Sequence, residues 1–180
     1  LMTAKACITG RRSIRRFKPD AVSHELIAQI VETASFAPSW KNTQIARYTV
    51  IEGDLKNKIA AEATTSFPGN GKIIENAPAL VVVSVIKNRC GYERDGSFTT
   101  PRKDTWQMFD AGVAAQTFCL AAHENGLGTV ILGIFDQDKV EELIALPEDR
   151  EVVTLIPLGY ADEEPACPRR KTVEDLLSFM

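Results

Sequence analysis

The sequence predicts a sheet held between layers of helices, of the α+β or mixed α/β class, and three observations point to it. Stretches with helical and with strand patterning interleave along 180 residues without a regular βαβ rhythm. Residues 79–86 (ALVVVSVI) are continuous and mostly β-branched, as in a strand buried on both faces. Residues 104–125 are apolar nearly all round, and such a helix needs cover on every side. With 44% apolar residues the chain is neither disordered nor fibrous. Its length suits one domain, residues 1–180, able to bury roughly 70% of its unfolded surface.

The elements follow in order. Ser23 reads as an N-cap, after which Leu26, Ile27, Ile30, Val31 and Ala34 recur at helical spacing until Pro38 forbids the α region before it. Residues 47–52 (RYTVIE) read as a strand, and Asp54 as the cap of a helix with Leu55, Ile59 and Ala63 on one face. The buried strand 79–86 leads into a polar loop, 88–103, long enough to be functional or mobile. In the long helix only Asp110 is charged between Trp106 and Ala122. At ~1.5 Å per residue this helix is about 33 Å long, hard for one such domain to wrap. Its small-residue middle, Ala111-Gly112-Val113-Ala114-Ala115, lets another backbone approach, so the helix is expected at the centre of a homodimer interface. A strand over 129–134, a helix from Asp136 with Val140, Leu143 and Ile144 inward, and a strand over 151–158 follow. After a Pro-rich basic tail, Val173, Leu176, Leu177 and Phe179 close the chain.

Charge and cysteine usage narrow the function. Against 24 acidic residues stand 21 basic ones, a net −3, which disfavours a dedicated nucleic-acid binder. No apolar run approaches the ~20 residues that cross a bilayer, and the opening residues lack a secretory h-region. Cys7, Cys90, Cys119 and Cys167 show no ligand spacing with each other or with His24 and His123. We therefore expect no metal site, and reduced thiols in a cytoplasmic protein.

Three clusters carry candidate chemistry. The segment from Arg11 to Lys18 (RRSIRRFK) places five of the 21 basic residues in eight positions, with the Ser13 hydroxyl among them. Guanidinium forks suit phosphate oxygens, and in an extended segment Arg11, Ser13 and Arg15 share one side. Alone, the segment is equally readable as a solvated basic arm. The loop Ala37-Pro38-Ser39-Trp40-Lys41-Asn42-Thr43-Gln44 offers small polar donors, or is an ordinary turn. The third cluster, Pro168-Arg169-Arg170-Lys171, reads by default as a solubilising tail.

Taken in order, RRSIRRF, APSWKNTQ, DAGVAAQTFCLAAHENGLGT, VILGIF and IPLGYADEEPACPRRKTVEDLL resemble the FMN-dependent nitroreductase family over nearly the whole chain. The resemblance implies an α+β, three-layer fold: a central mixed sheet of about four to five strands flanked by helices, in a domain-swapped homodimer with two FMN molecules at its interface. By this resemblance Arg11, Arg12, Ser13 and Arg15 correspond to FMN phosphate and ribityl contacts. Pro38, Ser39 and Asn42 correspond to the loop laid against the flavin of the opposite subunit. Val130, Ile131, Leu132 and Gly133 resemble the strand beside the isoalloxazine ring, with a backbone N–H near Leu132 or Gly133 facing flavin N5. Arg170, or Arg169 beside it, resembles the tail cation that returns to the phosphate, and residues 110–116 resemble the dimer-core helix.

The implied activity is NAD(P)H-dependent, ping-pong reduction of nitroaromatic, quinone or related conjugated acceptors by FMN, with NADH or NADPH as co-substrate. The flavin carries such chemistry, so no catalytic side-chain constellation is required and none stands out. The family pattern is not followed everywhere. Ile45-Ala46 replaces Pro-Trp after Gln44, and loop 88–103 is shorter than the helical insertion of larger members. Tyr92, Phe98 and Trp106 are candidates for the substrate side of the pocket, or else loop anchors. Two rival readings are a flavin-binding protein of the same fold without NAD(P)H turnover, acting as a sensor or in flavin processing, and a nucleic-acid-binding module.

Overall fold

The computed structural model describes residues 2–180. Within them seven α-helices and four strands form three layers. The elements are α1 (Ala4–Gly10), α2 (His24–Ala34), β1 (Ala46–Ile51), α3 (Gly53–Glu62), α4 (Pro68–Asn76), β2 (Ala79–Ile86), α5 (Thr105–Glu124), β3 (Gly128–Thr129), α6 (Gln137–Leu143), β4 (Arg150–Gly159) and α7 (Val173–Leu176). Strand order is β1-β2-β4-β3, and every neighbouring pair is antiparallel. The expected mixed sheet is thus corrected to an antiparallel one of four strands. Among the described residues parallel pairing occurs only as a single bridge, Ser13 to Thr129.

The unbroken apolar run of β2 has a direct cause, since successive strand side chains point to opposite faces. Ala79, Val81 and Val83 face a core built with Ile27 and Ile30 of α2 and Phe118 and Ala122 of α5. Leu80 and Val82 face a second core with Ile59 of α3, Ile74 of α4 and Val140 of α6. Both sides of the sheet are covered, so no polar face is needed. Tyr48 of β1 stacks on Phe118 with ring centroids 5.3 Å apart, and burial pushes its hydroxyl up to about 12.

The cap of α2 is as expected: Ser23 accepts the Leu26 N–H. Asp54, however, lies in the first turn of α3 rather than at its cap, because Gly53 (φ 61) already begins the helix after Glu52. Leu55 does not share the buried face expected with Ile59 and Ala63: it is exposed, and Lys56 beside it is buried. The strand expected over 129–134 shrinks to β3 and a detached bridge, in which Leu132 and Leu155 exchange both backbone hydrogen bonds. Helix α5 is not covered all round within one chain. Ala111, Ala114, Ala115 and Phe118 are buried, whereas Met108, Phe109 and Gly112 face outward. Val173, Leu176, Leu177 and Phe179 do not close against the body but stand exposed. Among the described residues no helix is long and apolar enough to cross a membrane.

Candidate functional site

The basic arm is extended and is held along its length. Ser13 pairs with Thr129, and the Ile14 N–H donates to Thr129 O at 2.9 Å. Buried Ile14 and Phe17 anchor it. The close approach depends on Gly128, since a Cβ there would sit 2.8 Å from Ile14. Because the pairing is parallel, the chain beyond Ser13 and the chain beyond Thr129 leave the bridge in the same direction. Beyond Ser13 the arm runs along residues 160–163: Phe17 bridges Ala161, the Lys18 N–H donates to Tyr160 O at 2.8 Å and the Asp162 N–H to Arg16 O at 2.9 Å.

The four residues 130–133 divide by strand alternation. Val130 and Leu132 are buried in the core, and the Leu132 N–H is consumed by Leu155 O at 2.9 Å. Their side chains and the Leu132 amide are therefore unavailable to a ligand. Ile131 and Gly133 are exposed, and among the described residues their N–H groups have no hydrogen-bond partner. Of the two amides expected to face a ring nitrogen, Gly133 is the one left free.

Arg11 and Arg12 line a cleft of about 500 Å³ with His123, Gly126, Thr129 and Glu163. The Arg11 Nε is buried and lacks a hydrogen-bond partner. Burial, and then the cations of Arg11 and Arg12, hold the His123 imidazole below its usual value of 6.5. Arg12 is committed through Nη1 to Thr9 O and Arg11 O, both at 2.8 Å. Arg15 is exposed, and among the described residues its guanidinium makes only a long bond to Ser13 O. Glu163, at the root of the tail, accepts the backbone N–H groups of both Arg15 and Arg16 and pairs with the Arg16 guanidinium at 3.6 Å. Its carboxylate fixes the extended backbone from which the Arg15 side chain projects.

Pro38, Ser39 and Asn42 lie elsewhere. They belong to a turn in which Lys41 (φ 45), Asn42 (φ 54) and Gln44 (φ 48) all adopt left-handed backbone, a costly conformation for residues with side chains. Ser39 Oγ accepts the Gln44 N–H at 3.0 Å, and Pro38 and Asn42 are exposed. This turn edges a different cleft, of about 570 Å³, between α2 and β1. Among the described residues none lines both clefts, and no hydrogen bond joins the turn to the arm. Arg169 and Arg170 are also apart from the arm. Both are exposed, and the Arg170 side chain bonds only Pro168 O.

The aromatics of loop 88–103 and the start of α5 act as anchors. Tyr92 packs on Phe98 with centroids 4.9 Å apart, and Trp106 on Trp40 at 5.1 Å, with its Nε1 donating to Thr100 Oγ1 at 2.8 Å.

Sequence reasoning passed over His123 and Glu163. Glu163 lies 148 residues from Arg15 and carries no local signal. His123 had one available signal, a helical position just ahead of the Gly126-Leu127-Gly128 turn that receives the arm.

A family model described as the nitroreductase family matches residues 8–160. An Archaeoglobus fulgidus protein, provisionally named NADH dehydrogenase/NAD(P)H nitroreductase, is 30% identical over 161 residues, covering 87% of this chain and 84% of its own. The solved FMN-dependent nitroreductase of Clostridium difficile is 26% identical, with a TM-score of 0.76 over 97% of this chain and 98% of its own. A nitroreductase family protein of Streptococcus pneumoniae shares the fold at a TM-score of 0.86, with 19% identity over 99% of this chain and 100% of its own.

Proposed function

The chain belongs to the nitroreductase family, and from that premise we propose that it is an FMN-dependent oxidoreductase that uses NADH or NADPH to reduce nitroaromatic, quinone or related conjugated acceptors in a ping-pong cycle. The observation that carries the reading is the arm. A guanidinium with a buried, unpartnered Nε lies beside a second arginine on an arm bridged to Thr129, and four residues beyond Thr129 the Gly133 amide makes no bond among the described residues. This donor set fits FMN. A phosphate near two negative charges suits convergent guanidinium groups, and an unbonded backbone N–H suits a ring nitrogen. When bound, FMN supplies the hydride and electron chemistry.

Arg11, Arg12, Ser13 and Arg15 would hold the phosphate and ribityl end, with the Gly133 N–H toward the ring. Pro38, Ser39 and Asn42 would complete the pocket from a second copy of the chain. Support for a homodimer comes from three features. The turn and the arm occupy separate clefts, α5 leaves Met108 and Phe109 exposed at 45% and 61%, and the tail ends in exposed apolar residues suited to packing on a partner. Arg169 or Arg170 would reach the phosphate once that tail is seated. Four unpaired cysteines suit a reducing compartment such as the cytoplasm.

The test is the visible spectrum of the purified protein before and after anaerobic addition of NADH or NADPH. Bleaching of bound flavin at an enzymatic rate is expected, and a yellow protein that neither nucleotide bleaches would leave a flavin binder without turnover. Arg15→Ala is expected to weaken FMN binding about tenfold while leaving the circular-dichroism melt unchanged. Unaltered flavin retention through gel filtration would remove Arg15 from the site.

A further inference from the structure

Asp110 is the one acidic side chain in the inner stretch of α5, and it is 6% exposed. Its Oδ2 receives two donors from two different loops, the Trp40 N–H at 2.9 Å and the Cys90 S–H at 3.2 Å. Among the described residues no cation pairs with it within 4.0 Å. A buried carboxylate is costly without partners, so a helix built for apolar packing gains nothing from it unless those two donors matter.

What the carboxylate grips is the strained turn. Bonds inside the turn give it shape: Asn42 N–H to Ser39 O at 3.0 Å, Thr43 N–H to Trp40 O at 2.8 Å, and Gln44 N–H to Ser39 Oγ. None of them fixes where the turn sits on the body. Lys41 reaches Glu93 at 3.1 Å, but both side chains are well exposed and such pairs contribute little. The buried tethers are the Trp40 N–H bond to Asp110 and the packing of Trp40 on Trp106. Through Cys90, the same oxygen also fixes the start of loop 88–103. Burial, then the bond to Asp110, pushes that thiol up to about 12, so it stays a donor.

We propose that Asp110 is a positioning residue, which seats the turn 38–44 so that Pro38, Ser39 and Asn42 are presented to a flavin, and which ties loop 88–103 to the same point. The proposal rests on the flavoenzyme reading given above. Its test uses the full-length protein with Asp110→Leu, which keeps bulk and removes the acceptor, and Asp110→Asn, which keeps a carbonyl acceptor. Three quantities are read: FMN affinity by fluorescence titration, the visible spectrum of bound flavin, and acrylamide quenching of Trp40 and Trp106 without flavin. Asp110→Leu is expected to weaken FMN binding about tenfold, to move the bound spectrum toward free flavin and to raise quenching, while Asp110→Asn stays within about threefold of wild type. If the leucine variant does not fold, Asp110→Ser, too short to reach the Trp40 N–H, takes its place.

Wild-type affinity, spectrum and quenching in the leucine or serine variant would overturn the proposal. So would an asparagine variant as impaired as the leucine one, since retaining an acceptor should rescue a positioning role. If the wild-type protein binds no FMN, the flavoenzyme reading fails, and quenching alone then decides whether Asp110 seats the turn.

Discussion

His123 stands between the end of α5 and the basic arm, close enough to Gly10 that a Cβ there would lie 3.2 Å from its Nε2. Burial, then Arg11 and Arg12, depress its proton affinity in the folded chain. In the unfolded chain the imidazole titrates near 6.5, so below that pH the unfolded state binds the extra proton and the folded state resists it. Stability contributed by neutral His123 is therefore fully present above pH ~6.5 and is lost as pH falls through the folded value. Urea midpoints should drop between pH 7 and 5, and His123→Asn should flatten that slope. An unchanged slope would show that the imidazole is not held neutral. At this scale the sequence was informative where a side chain acts on its own neighbours, as Ser23 does at its helix. It was silent where a side chain acts across the fold, as Glu163 does on Arg15 and Arg16. A cap is written in three consecutive residues, whereas a clasp between residue 15 and residue 163 exists only after both ends have folded.

Helices α3 and α4 show how one inward-facing cation can join two elements. Lys56 is 5% exposed, and its Nζ donates to Ile74 O at 2.9 Å and Glu75 O at 3.1 Å, carbonyls in the last turn of α4, as well as to Asn57 Oδ1 at 2.9 Å. Burial lowers the proton affinity of the amine, yet three acceptors and the negative end of a helix offset that cost. Lys56→Met keeps the length and removes the donor, leaving Glu75 O without its partner and Ile74 O with the Ala77 N–H alone. It should destabilise the protein by about 1–3 kcal/mol in urea unfolding, with little change in the slope against denaturant. Lys56→Arg should recover part of the loss. Helix α4 carries little helical signal in the sequence, because Pro68, Gly69 and Gly71 are residues that favour turns. Its glycines serve close packing instead, a Cβ at Gly71 falling 2.8 Å from Ala60 O. By contrast β2 and α5 were legible as elements, since burial on two faces or more leaves an unbroken apolar run. The hand and order of the sheet were not, because antiparallel and parallel central strands look alike when both faces are covered.

At the scale of the whole molecule, one chain holds two separate clefts, the half-sites of the proposed dimer, and α5 exposes the surface across which that dimer would bring them together. The middle of this helix divides by face. Ala111, Ala114 and Ala115 are buried against their own chain, while a Cβ on Gly112 would meet nothing within 4 Å. That difference separates folding from association in a single experiment. In the isolated chain Gly112→Leu should be harmless or stabilising, because replacing glycine inside a helix removes a penalty of roughly 0.5–1 kcal/mol. In a dimer packed backbone to backbone along Met108, Phe109 and Gly112, the same side chain would hold the helices apart, since interiors packed to crystal density do not absorb an isobutyl group. Light scattering at micromolar concentration should therefore give a dimer for wild type and mainly monomer for Gly112→Leu. The variant should keep a cooperative melt yet lose flavin, because the turn 38–44 would no longer reach the arm of its partner. A Gly112→Leu protein that remains dimeric would move the interface off this face of α5. A wild-type monomer that still binds FMN tightly would mean that both half-sites are not required.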